Sequence, residues 1–257
     1  MRIATAVRKC TKAVALPLGL GVRRKREDAI VLLYHKVGWG DREIDVPRRA
    51  FERQVDHLSK HERVATLDEC LAYGGVTVTV DDGFRDFCEH VVPVAVDRKV
   101  PVLLYLATGS VSANGNAAPE ALTWADLRDA VSTGLVEIGA HTHNHANLAH
   151  ATEAEADAEM RRCKELIEDK LGVECRHFSY PWSLASPAAE SVARSLFSTA
   201  ALPWETNRGP EIDPHRVGRT PVLKSDGTLF FRAKVAGKLD GEALVYRILR
   251  RGPWRPS

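Results

Sequence analysis

Strand-like and helix-like segments alternate along the 257-residue chain, and this alternation restricts the possible folds more than any other feature. Short runs of β-branched and apolar residues predict strands at 30–35, 76–80, 101–106, 135–140, 177–180 and 197–201. Helical apolar spacing predicts helices at 47–60, 84–98, 123–133, 153–171 and 186–196. Strands that are each followed by a helix favour a parallel sheet. We therefore expect an α/β fold in which a single domain, residues 29–257, forms a barrel or barrel-like sheet.

The overall composition is that of a globular domain. Hydrophobic residues make up 44% of the chain and charged residues 27%, which are ordinary values for a protein that buries one core. A formal net charge of +2 gives no reason to expect a nucleic-acid partner. The cysteines are odd in number, at 5, and form no C-x-x-C pair. They fit reduced thiols better than a disulfide framework.

The first 28 residues differ from the rest. Basic residues, but no acid, precede Glu27, and they surround an apolar run at 13–22. This run is too short to span a bilayer as a helix, and no clear signal-peptide cleavage site follows it. We expect a basic arm at 1–28 on a protein that is cytoplasmic or peripheral to a membrane. Two interpretations of the arm stay open, contact with a membrane surface or partner and a solvated arm.

The stretch V-T-V-T-V-D-D-G-F at 76–84 ends a buried strand with two adjacent carboxylates. Adjacent acids repel each other and resist burial. Asp-Gly can mark a hairpin turn, but the residues that follow have helical apolar spacing. Asp81 and Asp82 are therefore predicted to lie where a strand passes into a helix. In α/β folds, the carboxyl ends of strands are where functional sites are built.

A second polar stretch, H-T-H-N-H-A-N-L, directly follows another predicted strand. If the chain turns helically here, His141 and His145 share a face while His143 points elsewhere. Two imidazoles one turn apart can hold a metal ion, and the alternative is a polar helix cap. Asp82 can supply a third ligand and leave Asp81 as a base, because the ion removes the repulsion between the acids. One such divalent ion is expected, with zinc favoured and cobalt or nickel tolerated.

Three stretches together resemble the motifs of the polysaccharide deacetylases, carbohydrate esterase family four. V-T-V-T-V-D-D-G-F is similar to the family's T-F-D-D-G motif, with Val80 in place of phenylalanine. H-T-H-N-H-A-N-L is similar to H-[S/T]-x-x-H-x-x-L, and H-F-S-Y-P-W-S at 177–183 resembles the F-x-Y-P variant of the third motif. The resemblance spans roughly residues 29–222. It implies a distorted (β/α) barrel and metal-dependent hydrolysis of N-acetyl groups on amino sugars of a polysaccharide or oligosaccharide, releasing acetate.

The resemblance also implies roles for individual residues. It assigns metal binding to Asp82, His141 and His145, and proton abstraction to Asp81. In the R-P-P-Y form of the third motif an arginine braces the base, where this chain has Ser179.

Three further residues complete the predicted substrate-binding and oxyanion set, Tyr180, Trp182 and Arg219. Arg219, in V-G-R-T-P-V, is the candidate to brace the base in place of the missing arginine. Trp182 would offer its backbone N–H to the oxyanion and its ring to a sugar face. The alternatives are a surface charge for Arg219 and core packing for Trp182.

A further resemblance concerns the catalytic acid. I-V-L-L-Y-H-K-V-G, followed by F-E-R-Q-V-D-H-L and T-L-D-E-C-L, is similar to the start of the biofilm exopolysaccharide deacetylases, the poly-N-acetylglucosamine branch. In that branch the acid lies near the N-terminal end of the domain, so His35 would protonate the departing amine. His215 is the second candidate, and His35 as a cap on a core strand is the alternative.

Two other functions stay open at this point. One is a deacetylase for a small glycosylated metabolite, and the other is a non-catalytic carbohydrate-binding protein of the same fold. The lack of an arginine at position 179 leaves the second of these open. In every case the expected partner is an N-acetylated carbohydrate.

Overall fold

The computed structural model describes residues 25, 28–112, 121–203, 207 and 212–238. Most of the predicted basic arm and the whole C-terminal segment from residue 239 lie outside the described residues. The division into an arm and a domain therefore stays a prediction.

Nine strands and a surrounding set of helices form the described part of the chain. The strands are β1 (Ala29–Tyr34), β2 (Lys36–Val37), β3 (Asp45–Val46), β4 (Gly75–Asp82), β5 (Val102–Leu106), β6 (Val136–Ala140), β7 (His177–Ser179), β8 (Thr199–Pro203) and β9 (Val217–Pro221). The helices are α1 (Arg48–His61), α2 (Leu67–Tyr73), α3 (Val92–Arg98), α4 (Trp124–Ser132), α5 (Glu153–Leu171), α6 (Pro187–Leu196) and α7 (Thr228–Val235). The seven long strands close into a barrel, whereas β2 and β3 form a separate short pair.

The barrel confirms the predicted (β/α) fold class. Its strand order is β1-β4-β5-β6-β7-β8-β9, and β9 pairs in parallel with β1 to close it. The strand β9 was not among the predicted strands, because V-G-R-T-P is short and contains few apolar residues. The helix predicted at 84–98 is in fact a π-helical segment, Phe87–Val91, followed by α3. Pro93 has no N–H to donate to the preceding turn, so a regular α-helix cannot continue through it.

Side chains that alternate along each strand divide the interior into two layers. In β4, Val76, Val78 and Val80 belong to the large core between the barrel and its helices. Thr79 and Asp81 alternate with them and point into the barrel. Asp81 contacts Ser179 and Arg219, which belong to strands that do not pair with β4. Such contacts must cross the interior of the barrel, which is therefore partly polar.

Two features near β6 follow from close packing and local signals. Gly139 accommodates Tyr105, because a Cβ at position 139 would lie 2.8 Å from the tyrosine ring and from the His177 carbonyl oxygen. The large ring of Tyr105 thereby fills the barrel beside the site. A capping box formed by Thr123 and Asp126 begins α4.

Candidate active site

The candidate site lies at the carboxyl end of the barrel, where four strands deliver its polar groups. Asp81 and Asp82 end β4, and His141 directly follows β6. Ser179 ends β7, and Arg219 lies in the middle of β9. Parallel strands bring these sequence-distant residues to one rim, as the strand-end argument predicts.

Asp81 forms a buried, two-point ion pair with Arg219. The Nη1 and Nη2 atoms of the arginine donate to the two carboxylate oxygens over 2.5 and 2.8 Å. Both side chains are almost fully buried. Burial raises the pKa of Asp81, but the nearby charges of Arg219 and His141 offset it, and the net pKa lies below the usual range. Asp81 is therefore an ionised carboxylate with a fixed orientation.

Arg219 occupies the bracing position that the sequence analysis considered for it. Its Nη2 also donates to the Ser179 hydroxyl over 2.7 Å, and its guanidinium lies 5.2 Å from the Tyr105 ring centroid. Because the guanidinium is buried by these contacts, it is not placed to touch a substrate. The expectation that Arg219 belongs to the substrate-binding set is corrected on this point.

Asp82, His141 and His145 converge on one point, with potential ligand atoms all within 4.8 Å of one another. An Oδ1 atom of Asp82 lies 3.2 Å from His145 Nε2 and 3.5 Å from His141 Nε2. The Nδ1 of His141 lies 2.7 Å from the Ser179 carbonyl oxygen, which can only accept a hydrogen bond. Nδ1 therefore carries a proton, and Nε2 is the nitrogen that faces the Asp82 carboxylate.

These donor atoms fit a divalent metal. Bonds of about 2.1 Å at tetrahedral angles place ligand atoms about 3.4 Å apart, close to the two separations above. Without a metal, the Nε2 lone pairs and the Asp82 oxygen would repel one another unless a proton on an imidazole formed a hydrogen bond to the carboxylate. Accordingly, burial lowers the pKa of His141 but the charges of Asp81 and Asp82 raise it, and the net pKa is raised. A histidine whose second nitrogen is held by a carbonyl is the usual arrangement around a metal.

A tight turn, rather than the expected helix, brings the two histidines together. Thr142 and His145 have positive φ values of 60° and 53°, which a helix does not permit. The Thr142 hydroxyl accepts a hydrogen bond from the Ala146 backbone N–H over 2.9 Å, which stabilises this turn. His143 points away, as predicted, with its Nδ1 2.9 Å from the Thr108 hydroxyl.

Backbone strain is concentrated at this rim. Positive φ values occur at Asp82, Thr142, His145, Trp182 and Ser183, and Lys99 is the other non-glycine residue with this conformation among those described. Each such residue costs about 1 to 3 kcal/mol and is retained where the surrounding structure enforces it. The clustering is typical of a functional site.

Trp182 lies beside His145 and not in the core. Its indole N–H donates to the His145 carbonyl oxygen over 3.2 Å, and the two rings meet edge to face at 4.9 Å. The side chain is 47% exposed, so one part remains open to a ligand.

The Tyr180 side chain is not brought to the site, which corrects its assignment to substrate binding. It follows the inward-pointing Ser179 and therefore points outward, where it packs against Phe178 at 4.9 Å. Its buried hydroxyl has no hydrogen-bond partner among the described residues. The charged groups that act on it include Glu190 and Arg194 of α6, outside the barrel.

The two candidate acids lie at opposite ends of the barrel. His35 directly follows β1, at the rim of the site. Burial lowers its pKa, and the charges of Asp82 and Asp81 act against this change. His215 precedes β9 at the amino end, where its Nε2 lies 2.9 Å from the Phe197 carbonyl oxygen. His215 is therefore not placed to take part in chemistry at Asp81.

Sequence reasoning missed two supporting residues. Ser179 was considered only as the absence of an arginine, yet its hydroxyl accepts from Arg219 and its carbonyl orients His141. Tyr105 was not considered, although its ring covers the guanidinium of Arg219. The alternation of inward- and outward-pointing side chains along β5 and β7 could have placed both residues inside the barrel.

Comparison with known proteins decides the family. A family model described as "Polysaccharide deacetylase" matches residues 70–201, just over half of the chain. The chain belongs to the polysaccharide deacetylase family. Members are metal-dependent carbohydrate deacetylases, which agrees with the ligand cluster found here.

Individual relatives in this family are distant in sequence. The poly-beta-1,6-N-acetyl-D-glucosamine N-deacetylase of Staphylococcus aureus strain MSSA476 is 22% identical over 195 residues, covering 63% of this chain and 67% of the relative. The IcaB structure from Ammonifex degensii is 26% identical with a TM-score of 0.70, covering 82% of this chain and 97% of that one. The polysaccharide deacetylase BC0361 from Bacillus cereus has a TM-score of 0.72 at 19% identity, covering 81% and 69%, and supports the fold.

Among the residues that the structure describes, no helix combines the length and apolar character needed to cross a membrane.

Proposed function

We propose that this protein hydrolyses the N-acetyl groups of a polymer of β-1,6-linked N-acetylglucosamine, or of a close chemical analogue. The observation that carries the proposal is the ligand cluster of Asp82, His141 and His145 beside the buried, ionised Asp81. The polymer is suggested by the name of the S. aureus relatives and by the likeness to IcaB.

Asp82, His141 and His145 would hold one divalent ion, for which we favour zinc. Two imidazole nitrogens and a carboxylate are common zinc ligands, and the same set accepts cobalt or nickel. Such an ion lowers the pKa of a water molecule towards about 7 and polarises the acetyl carbonyl group.

Asp81 would accept the proton of the attacking water. Its two oxygens are held by Arg219, so its orientation is fixed before the substrate arrives. The same ion pair keeps the carboxylate ionised, which a general base requires. Arg219 acts through Asp81 and is a positioning residue.

Two further residues would serve the later steps. The backbone N–H of Trp182, in the strained turn after β7, would donate to the developing oxyanion. His35, at the rim of the site, would donate a proton to the departing amine; burial lowers the pKa of His35, and the charges of Asp82 and Asp81 favour its protonated form against that effect. An amide anion is a very poor leaving group, so this proton is needed before the C–N bond breaks.

Acetate release from a panel of N-acetylated carbohydrates tests the proposal. We expect release from β-1,6-linked N-acetylglucosamine oligomers, loss of release after chelation, and recovery with zinc. Release from a small acetylated glycoside alone would favour the small-metabolite deacetylase. Binding of the oligomers without any release would indicate a non-catalytic carbohydrate-binding protein.

A further inference from the structure

A small cavity adjoins the candidate active site at the same end of the barrel. Its volume is about 200 Å³. Its walls come from the segments that follow β1 and β4, the two strands that carry His35 and the Asp81–Asp82 pair. The lining residues include Lys36, Trp39, Phe84, Asp86, Glu89 and His90. A molecule that extends from the site across β1 and β4 therefore reaches this cavity.

One wall of the cavity is an open aromatic surface. Trp39 is 95% exposed, more than any other large hydrophobic side chain in the described part of the chain. The neighbouring Phe84 ring is covered by a cation, since Lys36 Nζ lies 5.5 Å from its centroid. An exposed indole is unfavourable in water, and its face suits the apolar C–H face of a sugar ring.

The opposite wall of the cavity contains polar groups with incomplete hydrogen bonding. One carboxylate oxygen of Asp86 accepts the backbone N–H of Val37, whereas Oδ1 has no partner among the described residues. Nδ1 of His90 is also buried without a partner in the described structure. The His90 ring is held beneath Gly38, where an added Cβ would approach its Cδ2 atom to 3.1 Å. Native structures leave few such groups unpaired, and those that remain commonly mark a ligand or bound water.

We infer that this cavity is a second sugar subsite, which binds the ring next to the one whose acetamido group lies at the metal ligands. The neighbouring ring stacks on Trp39, and its polar groups face Asp86 and His90 in the cavity lining. The inference rests on the proposed function, because it requires a polymeric substrate. It makes the protein favour oligomers over single sugars.

The test compares substrates of different length. We measure kcat/KM for a β-1,6-linked N-acetylglucosamine pentamer and for the monosaccharide, and take their ratio. Trp39→Ala should lower this ratio about tenfold, the usual loss when one aromatic contact is truncated. Trp39→Phe, which keeps an aromatic face, should retain most of the ratio.

A matched control comes from the other end of the barrel. Tyr73 is 70% exposed and ends α2, at the amino end, so Tyr73→Ala should leave the ratio unchanged. An unchanged ratio in Trp39→Ala, or an equal fall in both alanine variants, would overturn the subsite.

A binding measurement separates this inference from the proposed function. The pentamer is titrated into wild type and Trp39→Ala by calorimetry. Trp39-dependent binding without acetate release would keep the subsite and overturn the proposed function. Acetate release with equal pentamer affinity in the two proteins would do the reverse, and absence of both binding and release would overturn both.

Discussion

The two ends of the barrel each hold a buried histidine near a carboxylate, but the described residues form a candidate catalytic site only at the carboxyl end. At the amino end, His177 Nδ1 lies 2.9 Å from the Thr199 hydroxyl and Nε2 lies 3.2 Å from Glu137. Both nitrogens are thus satisfied by protein groups. At the carboxyl end, Nδ1 of His141 is held by the Ser179 carbonyl oxygen, and its Nε2 faces Asp82, the same carboxylate that His145 faces.

The same contrast holds for the cavities. A cavity of about 370 Å³ lies at the amino end, larger than the one beside the active site. Its charged groups pair with each other, as Arg176 does with Asp68 over 2.8 Å. Cavity size and residue type are therefore poor guides to function here. What distinguishes the carboxyl end is the convergence of two imidazoles and a carboxylate on one point beside a second, buried carboxylate.

The largest expected effect is the difference in metal content and turnover between variants of His141 and His177. His141→Ala should remove most of the bound metal and abolish turnover, because it removes one of three protein ligands. His177→Ala removes an equally buried imidazole but should leave the metal in place, while lowering stability through lost packing and hydrogen bonds. Elemental analysis and thermal unfolding of both variants check this. Full metal content in His141→Ala would contradict the ligand assignment.

The second prediction compares the carboxylates of Asp81 and Glu137, which lie at opposite ends of the barrel. Asp81→Asn should lower turnover at least about 100-fold with metal retained, because an amide cannot accept the proton. It should also destabilise the fold by about 3 kcal/mol, since Arg219 keeps a buried charge without its counter-ion. Glu137→Gln, the matched change at the amino end, should leave turnover close to that of wild type. Near-normal acetate release in Asp81→Asn would show that another group is the base.

The third prediction concerns pH and uses acids at the two ends. Burial raises the pKa of Asp86, beside the active site, from 3.8 to about 6. The folded state thus favours the protonated form, so its stabilising contribution is present below pH 3.8 and is lost as pH rises through about 6. Above this pH the ionised Asp86 destabilises the folded state. Asp86→Asn should therefore raise the free energy of unfolding there by on the order of 2 kcal/mol, with solvent screening included.

Glu137 should show the opposite pH dependence. A hydrogen bond with His177 lowers its pKa, although burial opposes this. Its contribution to stability is therefore present above the ordinary carboxylate range and is lost as pH falls through the lowered pKa. Relative to wild type, Asp86→Asn should gain stability as pH rises from about 4 to 7, whereas Glu137→Gln should lose stability as pH rises to the ordinary carboxyl value of 4.5 and stay level above it. Thermal unfolding across this pH range measures both slopes, and slopes of equal sign would remove the contrast.

Much of the fold was predictable from the sequence, because apolar runs and helical spacing are local signals. The strands at 76–80 and 101–106 appear within β4 and β5, and the family motifs pointed to Asp81, Asp82, His141 and His145. The strand β9 and the turn between the histidines were not predictable in the same way. The strand depends on its pairing with β1 and β8, and the turn depends on positive φ values at Thr142 and His145; neither leaves a clear trace in residue type.

Roles that depend on distance in space were also hard to predict. Arg219 lies 138 residues from Asp81 in the chain, and no local pattern links the two. Tyr180 was misassigned because its neighbours in the third motif belong to the site, whereas the alternation of the strand turns its side chain outward.

The position of Arg219, the counter-ion of Asp81, has a consequence for how the active site forms during folding. Arg219 is supplied by β9, the last strand of the barrel, and β9 takes its place only by pairing with β1 and β8. The metal ligands, in contrast, come from the ends of β4 and β6, which are separated in the sheet by β5 alone. A partly folded chain could therefore assemble its metal-binding cluster while its base still lacks a fixed orientation. Arg219 therefore makes the orientation of the base depend on closure of the barrel at β9.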